Sequence, residues 1–195
     1  MTIQNIRPGF DDPVMRSQST FRKVLEAMSH PGRIVDIDNT PEGLVDLSPA
    51  ATAVCLTLVD FETPIWLDKK ALSASDYLKF HCSCPITELS TAAQFAVIAA
   101  PQELTSFETF NLGSNEYPDR AATLIIEVES LSNAEGVTLT GPGIEHSAKL
   151  SVSGVSETFW QQVQNNSALF PRGVDLVLTC GKQLAALPRT TQVEV

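Results

Sequence analysis

The side chains best suited to chemistry fall in a few short stretches. His81-Cys82-Ser83-Cys84 puts an imidazole and two thiols within four residues, donors that could share a soft metal ion or supply a reactive thiolate. A structural zinc site also needs a second ligand pair, and Cys55 and Cys180 each stand alone in apolar segments. The plainer reading is a helix end with two small thiols, and no metal ligand set is expected. Gly141-Pro142-Gly143 is followed by Glu145-His146. Gly141 and Gly143 could bare backbone N–H groups to an anion, or could simply shape a β-turn. His146 is a candidate general base, with a solvated loop histidine as the alternative. The Gly-x-Gly-x-x-Gly dinucleotide pattern fails at His146, and neither a Gly-x-Ser-x-Gly elbow nor a phosphate-binding P-loop occurs.

Two further stretches carry arginines. In Phe170-Pro171-Arg172-Gly173-Val174-Asp175, Arg172 is a candidate anion ligand. Asp175 is either a catalytic acid or base, or a cap for the turn. In Leu187-Pro188-Arg189-Thr190-Thr191, Arg189 offers a planar fork of donors and Thr190 and Thr191 add hydroxyls, a set suited to phosphate or carboxylate. A terminal strand whose arginine makes a structural salt bridge is the alternative.

The elements that must hold these residues follow from periodicity and punctuation. Val14, Phe21, Val24, Leu25 and Met28 recur at helical spacing over Pro13 to Met28, after a capping Asp11 or Asp12 and before His30-Pro31-Gly32. His30 fits as a helix C-terminal residue beside the negative dipole end. A short strand over residues 33–37 precedes a polar stretch. Ser48-Pro49 opens a helix to about Leu58, apolar nearly all round and therefore buried. Strands are expected over 63–67, 94–99, 121–128, 137–140 and 148–152, and helices over 73–82, 102–110 and 156–165. Residues 174–180 and 184–187 read as two strands joined by a turn at Gly181-Lys182. Helices and strands alternate early and strands cluster late. That pattern predicts one α/β domain over residues 1–195, a three-layer αβα sandwich with a mixed sheet.

The chain has 195 residues, 43% apolar and 18% charged, so it can bury a core and is not disordered. Its 13 Lys and Arg against 23 Asp and Glu give a net charge of −10. Such a surface repels nucleic acid and anionic membranes but leaves room for one small anion held by local cations. No secretory leader is visible in the first ten residues. The longest nearly apolar runs, 51–59 and 92–100, are about half of the roughly 18 residues a membrane span needs. A cytoplasmic location with reduced thiols is expected.

One resemblance covers nearly the whole chain. Its residues are Ser19-Thr20-Phe21-Arg22 with Met28-Ser29-His30-Pro31-Gly32; Leu56-Thr57-Leu58-Val59-Asp60 with Thr63-Pro64-Ile65-Trp66-Leu67; Phe80-His81; and Ala122-Thr123-Leu124-Ile125. Leu139 to Ile144, Phe170 to Gly181 and Pro188-Arg189-Thr190-Thr191 complete it. In this order and spacing they resemble the PhnH subunit family of the bacterial carbon–phosphorus lyase system.

The resemblance implies a part in using phosphonates as a phosphorus source, alongside other core-complex subunits. The complex would displace adenine from Mg-ATP with a phosphonate such as methylphosphonate, and a separate radical-SAM subunit would later break the carbon–phosphorus bond. It also implies a homodimer, and a fold like the large domain of pyridoxal-phosphate-dependent transferases with that cofactor lost. A pyridoxal enzyme needs a Schiff-base lysine, and among Lys23, Lys69, Lys70, Lys79, Lys149 and Lys182 only Lys149 is not easily dismissed. No cofactor bound by this chain is expected. Displacing adenine requires a proton for the leaving base and neutralisation of the triphosphate. This acidic chain has few groups for either task, so a site-completing subunit is favoured, inactive alone. The candidate contributors are Arg189, Arg22 and Arg172, then His146 and Asp175. A stand-alone transferase, a relic of the pyridoxal fold that binds a phosphorylated ligand, and a pure scaffold are the competing readings.

Overall fold

In the computed structural model, which describes residues 6–194, Asp12 starts the first helix: its carboxylate accepts the Met15 N–H at 3.1 Å. The expectations placed on residues 1–5 and on Val195 lie outside the described residues. Helix α1 (Pro13–Ser29) ends where the His30 N–H reaches back to the Glu26 and Ala27 carbonyls. Its buried side is Thr20, Val24 and Ala27, whereas Val14, Phe21 and Leu25 are 78%, 46% and 50% exposed. The apolar positions of this helix therefore divide between the core and an outward stripe.

The chain continues through β1 (Val35–Asp36), α2 (Pro49–Leu58), β2 (Ile65–Leu67), α3 (Ser75–Cys82), β3 (Phe95–Ile98) and β4 (Thr123–Glu127). The remaining elements are β5 (Ser130–Thr140), β6 (Ala148–Ser153), α4 (Phe159–Ala168), β7 (Asp175–Cys180), β8 (Gln183–Leu187) and β9 (Gln192–Glu194). As expected from Ser48-Pro49, the Ser48 hydroxyl caps α2, and Ala50 to Cys55 are buried.

A six-stranded sheet has the order β1-β8-β7-β4-β3-β2. Strands β2, β3, β4 and β7 run parallel, while β8 and β1 are antiparallel to their neighbours, so the sheet is mixed. Alternation along the strands builds two cores. Val97, Ile125, Val177, Leu184 and Ala186 face a core shared with α1, α2 and α3. Ala96, Ile98, Leu124, Ile126, Leu176 and Leu178 face the other way, against Phe159 and Val163 of α4 and Leu139, Leu150 and Val193.

Those last three residues belong to a second sheet, β6-β5-β9, antiparallel throughout. The expected αβα sandwich is corrected here: the third layer is one helix beside a small sheet. The strand over 137–140 is likewise longer, beginning at Ser130. Its first half is mostly exposed and its ladder shifts register between Ser132 and Val137, so no hydrophobic alternation announces it. The helix expected over 102–110 is instead two separate 3-10 turns, Pro101–Glu103 and Phe107–Thr109. In that tighter winding residues three apart superimpose, which drives Phe107 and Phe110 together into the core. Helix α4 lies about one turn later than expected. No described helix is long and apolar enough to cross a membrane.

Candidate functional site

Arg189 and Asp175 meet at the amino end of β7. The Arg189 Nε and Nη2 donate to Asp175 Oδ1 and Oδ2 at 3.1 and 2.5 Å, and the Arg189 backbone N–H donates to Oδ1 at 2.8 Å. Nη1 donates to the carbonyls of Pro118 at 2.6 Å and Pro171 at 3.5 Å. The two side chains are only 13% and 19% exposed. This fork therefore clamps the chain after β8 to the start of β7 and to the loop before β4. Arg172 is half-buried beside it and makes no side-chain ion pair among the described residues.

The remaining glycine and threonine candidates are brought together by pairing of β5 with β9. Thr140 lies opposite Gln192, which sets Gly141 against the backbone of Thr190: a Cβ on Gly141 would stand 2.9 Å from the Thr190 oxygen. The Ile144 N–H closes a turn on the Gly141 carbonyl at 3.1 Å. Thr191 is buried, and its hydroxyl has no hydrogen-bond partner among the described residues.

Gly143 looks the other way and touches the end of α1. It has a φ of +85°, and a Cβ there would lie 2.3 Å from the Ser29 carbonyl oxygen, so only glycine fits. Gly32, with a φ of +80°, sits similarly close to Leu139. The Gly32 N–H also donates to the Ala186 carbonyl of β8 at 3.0 Å. The segment His30 to Arg33 is thereby held over the seam between the two sheets.

A cleft of about 380 Å³ opens at this seam, lined by His30, Arg33, Asn133, Gly143, Glu145 and Lys149 among others. Asn133 Nδ2 ties its walls together, donating to the Gly32 carbonyl at 2.9 Å and to the Lys149 carbonyl at 2.7 Å. His30 Nδ1 lies 3.0 Å from the Glu26 carbonyl, which can only accept. The Ser29 hydroxyl lies 3.0 Å from the same nitrogen, so two contacts orient the ring. In the tautomer with the proton on Nδ1, which donates to the Glu26 carbonyl, Nε2 keeps its lone pair. Arg33 approaches Glu26 at 3.7 Å with its side chain 52% exposed. Lys149 makes no ion pair among the described residues. The sequence reading passed over Arg33 and Asn133 and took His30 for a simple helix end. The signal that could have found them is the Met28 to Gly32 motif read together with Gly141 to Ile144.

Other candidates lie apart from this cleft. The His146 side chain is 88% exposed, 3.8 Å from Glu145. Arg22 is exposed on α1. His81 rests on the Tyr77 ring and its Nε2 donates to the Arg7 carbonyl at 3.0 Å. Cys82 and Cys84 are buried beneath α3, and burial pushes the Cys82 thiol up to about 12. Such thiols stay protonated near neutral pH and are poor nucleophiles.

The carboxyl ends of the parallel strands form a second concavity, of about 310 Å³, lined by Trp66, Asp68, Lys69, Ile98 and Phe110. Open α/β sheets commonly bind ligands at such ends. Here the backbone donors are already engaged. Asp68 accepts the N–H groups of Ala71 at 2.6 Å and of Ala99 and Ala100 at 2.8 Å each. At the end of β4, Glu127 accepts the Ser48 N–H at 3.0 Å and the Thr179 hydroxyl at 3.1 Å. Burial raises the Glu127 carboxyl above its usual range, opposed by those hydrogen bonds.

Fold and cleft together define a mixed α/β domain with His30, Arg33 and Lys149 lining one cleft at the seam between its sheets. The chain belongs to the PhnH family of bacterial phosphonate metabolism proteins, whose family model matches residues 8–194. Among its relatives is the alpha-D-ribose 1-methylphosphonate 5-triphosphate synthase subunit PhnH of Rhizobium meliloti. It is 36% identical over 187 residues, covering 95% of this chain and 94% of that protein. A second, from Stutzerimonas stutzeri and provisionally named C-P lyase subunit protein HtxG, is 35% identical over 180 residues, 92% of this chain and 87% of its own length.

Proposed function

We propose that this chain is a subunit of the carbon–phosphorus lyase core complex. Together with partner subunits it transfers the ribose triphosphate of Mg-ATP to a phosphonate and releases adenine. The observation that carries this reading is the 36% identity to the Rhizobium meliloti synthase subunit along 95% of the chain. The arrangement of side chains supports a contributing part rather than a solitary catalyst. Arg189 and Asp175 are committed to each other, His146 lies exposed beside Glu145, and Cys55, Cys82 and Cys84 are buried. The exposed stripe of Val14, Phe21 and Leu25 on α1 supports docking against partners, with a second copy of the chain among them; a cytoplasmic location is part of the same proposal.

Pyridoxal phosphate has no place in this reading. A phosphate at the strand ends would meet the carboxylates of Asp68 and Glu127, which hold the donors it would need. The likeness to the large domain of pyridoxal-dependent transferases is proposed for the chain path only.

The test is reconstitution from purified subunits, with adenine release from ATP and methylphosphonate as the readout. Activity should require this chain and its partners together. Turnover by the chain in isolation, or an undiminished complex lacking it, would overturn the proposal.

A further inference from the structure

We infer that the seam cleft between α1 and the second sheet binds a tetrahedral phosphorus oxyanion, with Arg33 and Lys149 supplying charge and His30 Nε2 facing the anion's acidic oxygen. The assignment of phosphorus rests on the function proposed above; that of an oxyanion rests on the cleft. In a chain of net charge −10, two cationic side chains and an imidazole line one concavity of about 380 Å³, against a single lining carboxylate, Glu145, that is 90% exposed. That volume admits a phosphonate bearing a small organic group or the end of a polyphosphate. Lys149 is uncommitted among the described residues, and Arg33 has only the long 3.7 Å contact to Glu26, which an anion can outcompete.

The walls are built rather than incidental. Asn133 bridges the carbonyls of Gly32 and Lys149, and Gly143 is locked against Ser29 where no side chain fits. His30 is oriented by its Nδ1 contacts to the Glu26 carbonyl and the Ser29 hydroxyl. A phosphonate monoanion carries one P–O–H, whose proton Nε2 accepts in a hydrogen bond when the ring proton sits on Nδ1. Arg33 and Lys149 meanwhile donate to the charged oxygens.

The anion could be the phosphonate or the nucleotide's triphosphate, and one experiment separates them. The variants Arg33→Ala, Lys149→Ala and the double change are assembled into the complex, and KM is measured for methylphosphonate and for ATP. The double variant should assemble normally by size-exclusion chromatography and raise one KM by at least about tenfold, the loss expected for two charge-assisted contacts. A rise for methylphosphonate assigns the cleft to the phosphonate, and a rise for ATP assigns it to the triphosphate. Unchanged KM for both in an assembled, active complex would overturn the inference while leaving the proposed function intact. Adenine release without this chain would overturn the function itself. As a second measurement on the full chain alone, ³¹P line broadening of methylphosphonate and of tripolyphosphate should saturate and be lost in the double variant. Sulfate competing as well as either probe would also overturn it.

Discussion

The two ends of the central sheet and the seam beside it handle polar groups in opposite ways. At the sheet ends the chain answers its own backbone. Asp68 and Glu127 take the donors at the carboxyl ends of the parallel strands, and Arg189 and Asp175 hold the amino end of β7. At the seam, Lys149 and the Nε2 of His30 have no partner of their own among the described residues. At the strand ends the carboxylates hold the chain's own donors, while the groups inferred to bind an anion sit where a helix end meets a small accessory sheet.

Four measurements can break or sharpen this contrast. Arg189→Ala should have the largest effect, about 3 kcal/mol lost in urea unfolding, because it leaves Asp175 nearly buried without its partner. Arg189→Lys should recover only part of that, since an ammonium cannot reproduce the fork. Wild-type stability in the alanine variant, with lost adenine release, would move Arg189 from the frame to the reaction. Asp68→Ala comes next, with about 2 kcal/mol expected from N–H groups left without acceptors.

Gly143→Ala should cost about 1 to 2 kcal/mol and displace the end of α1, seen as amide shifts at Ser29 to Arg33 by NMR. At this seam position stability and the cleft should fail together. The smallest effect is at Glu127. Its raised folded pKa means the folded protein favours the protonated form. The contribution is present in full below the ordinary value of 4.5 and is lost as pH rises through the raised one. Glu127→Gln does not titrate, so relative to wild type it should gain stability over that rise and stay level beyond it. A flat difference between the two melting curves from pH 4 to 8 would show that the carboxyl is well solvated.

The sequence made the central sheet legible and left the seam nearly silent. The strand Thr123–Glu127 has a fully buried apolar centre, Leu124 to Ile126, and Ser48-Pro49 and Asp12-Pro13 are local capping signals that tertiary contacts had no reason to override. Residues 130–136 are polar, irregular and mostly exposed, so only the ladder with β6 reveals them as strand. The Gly141-Pro142-Gly143 turn was visible, but its target was not. Arg33, Asn133 and Lys149 are separated in the chain: pairing of β5 with β6 brings Asn133 to Lys149, and the Asn133 bond to the Gly32 carbonyl and the docking of Gly143 on Ser29 hold Arg33's segment beside them. Arg189 illustrates the converse: its residue type suits a bound anion, yet the carboxylate it meets is one of the chain's own.

Helix α1 joins two tasks on a single rod. Seventeen residues give it a length of about 25 Å. Its outward stripe runs along the barrel and His30 stands at the tip. Anything seated along that stripe grips the same rigid body that carries the imidazole, so a neighbour's hold and the imidazole's aim are mechanically one variable.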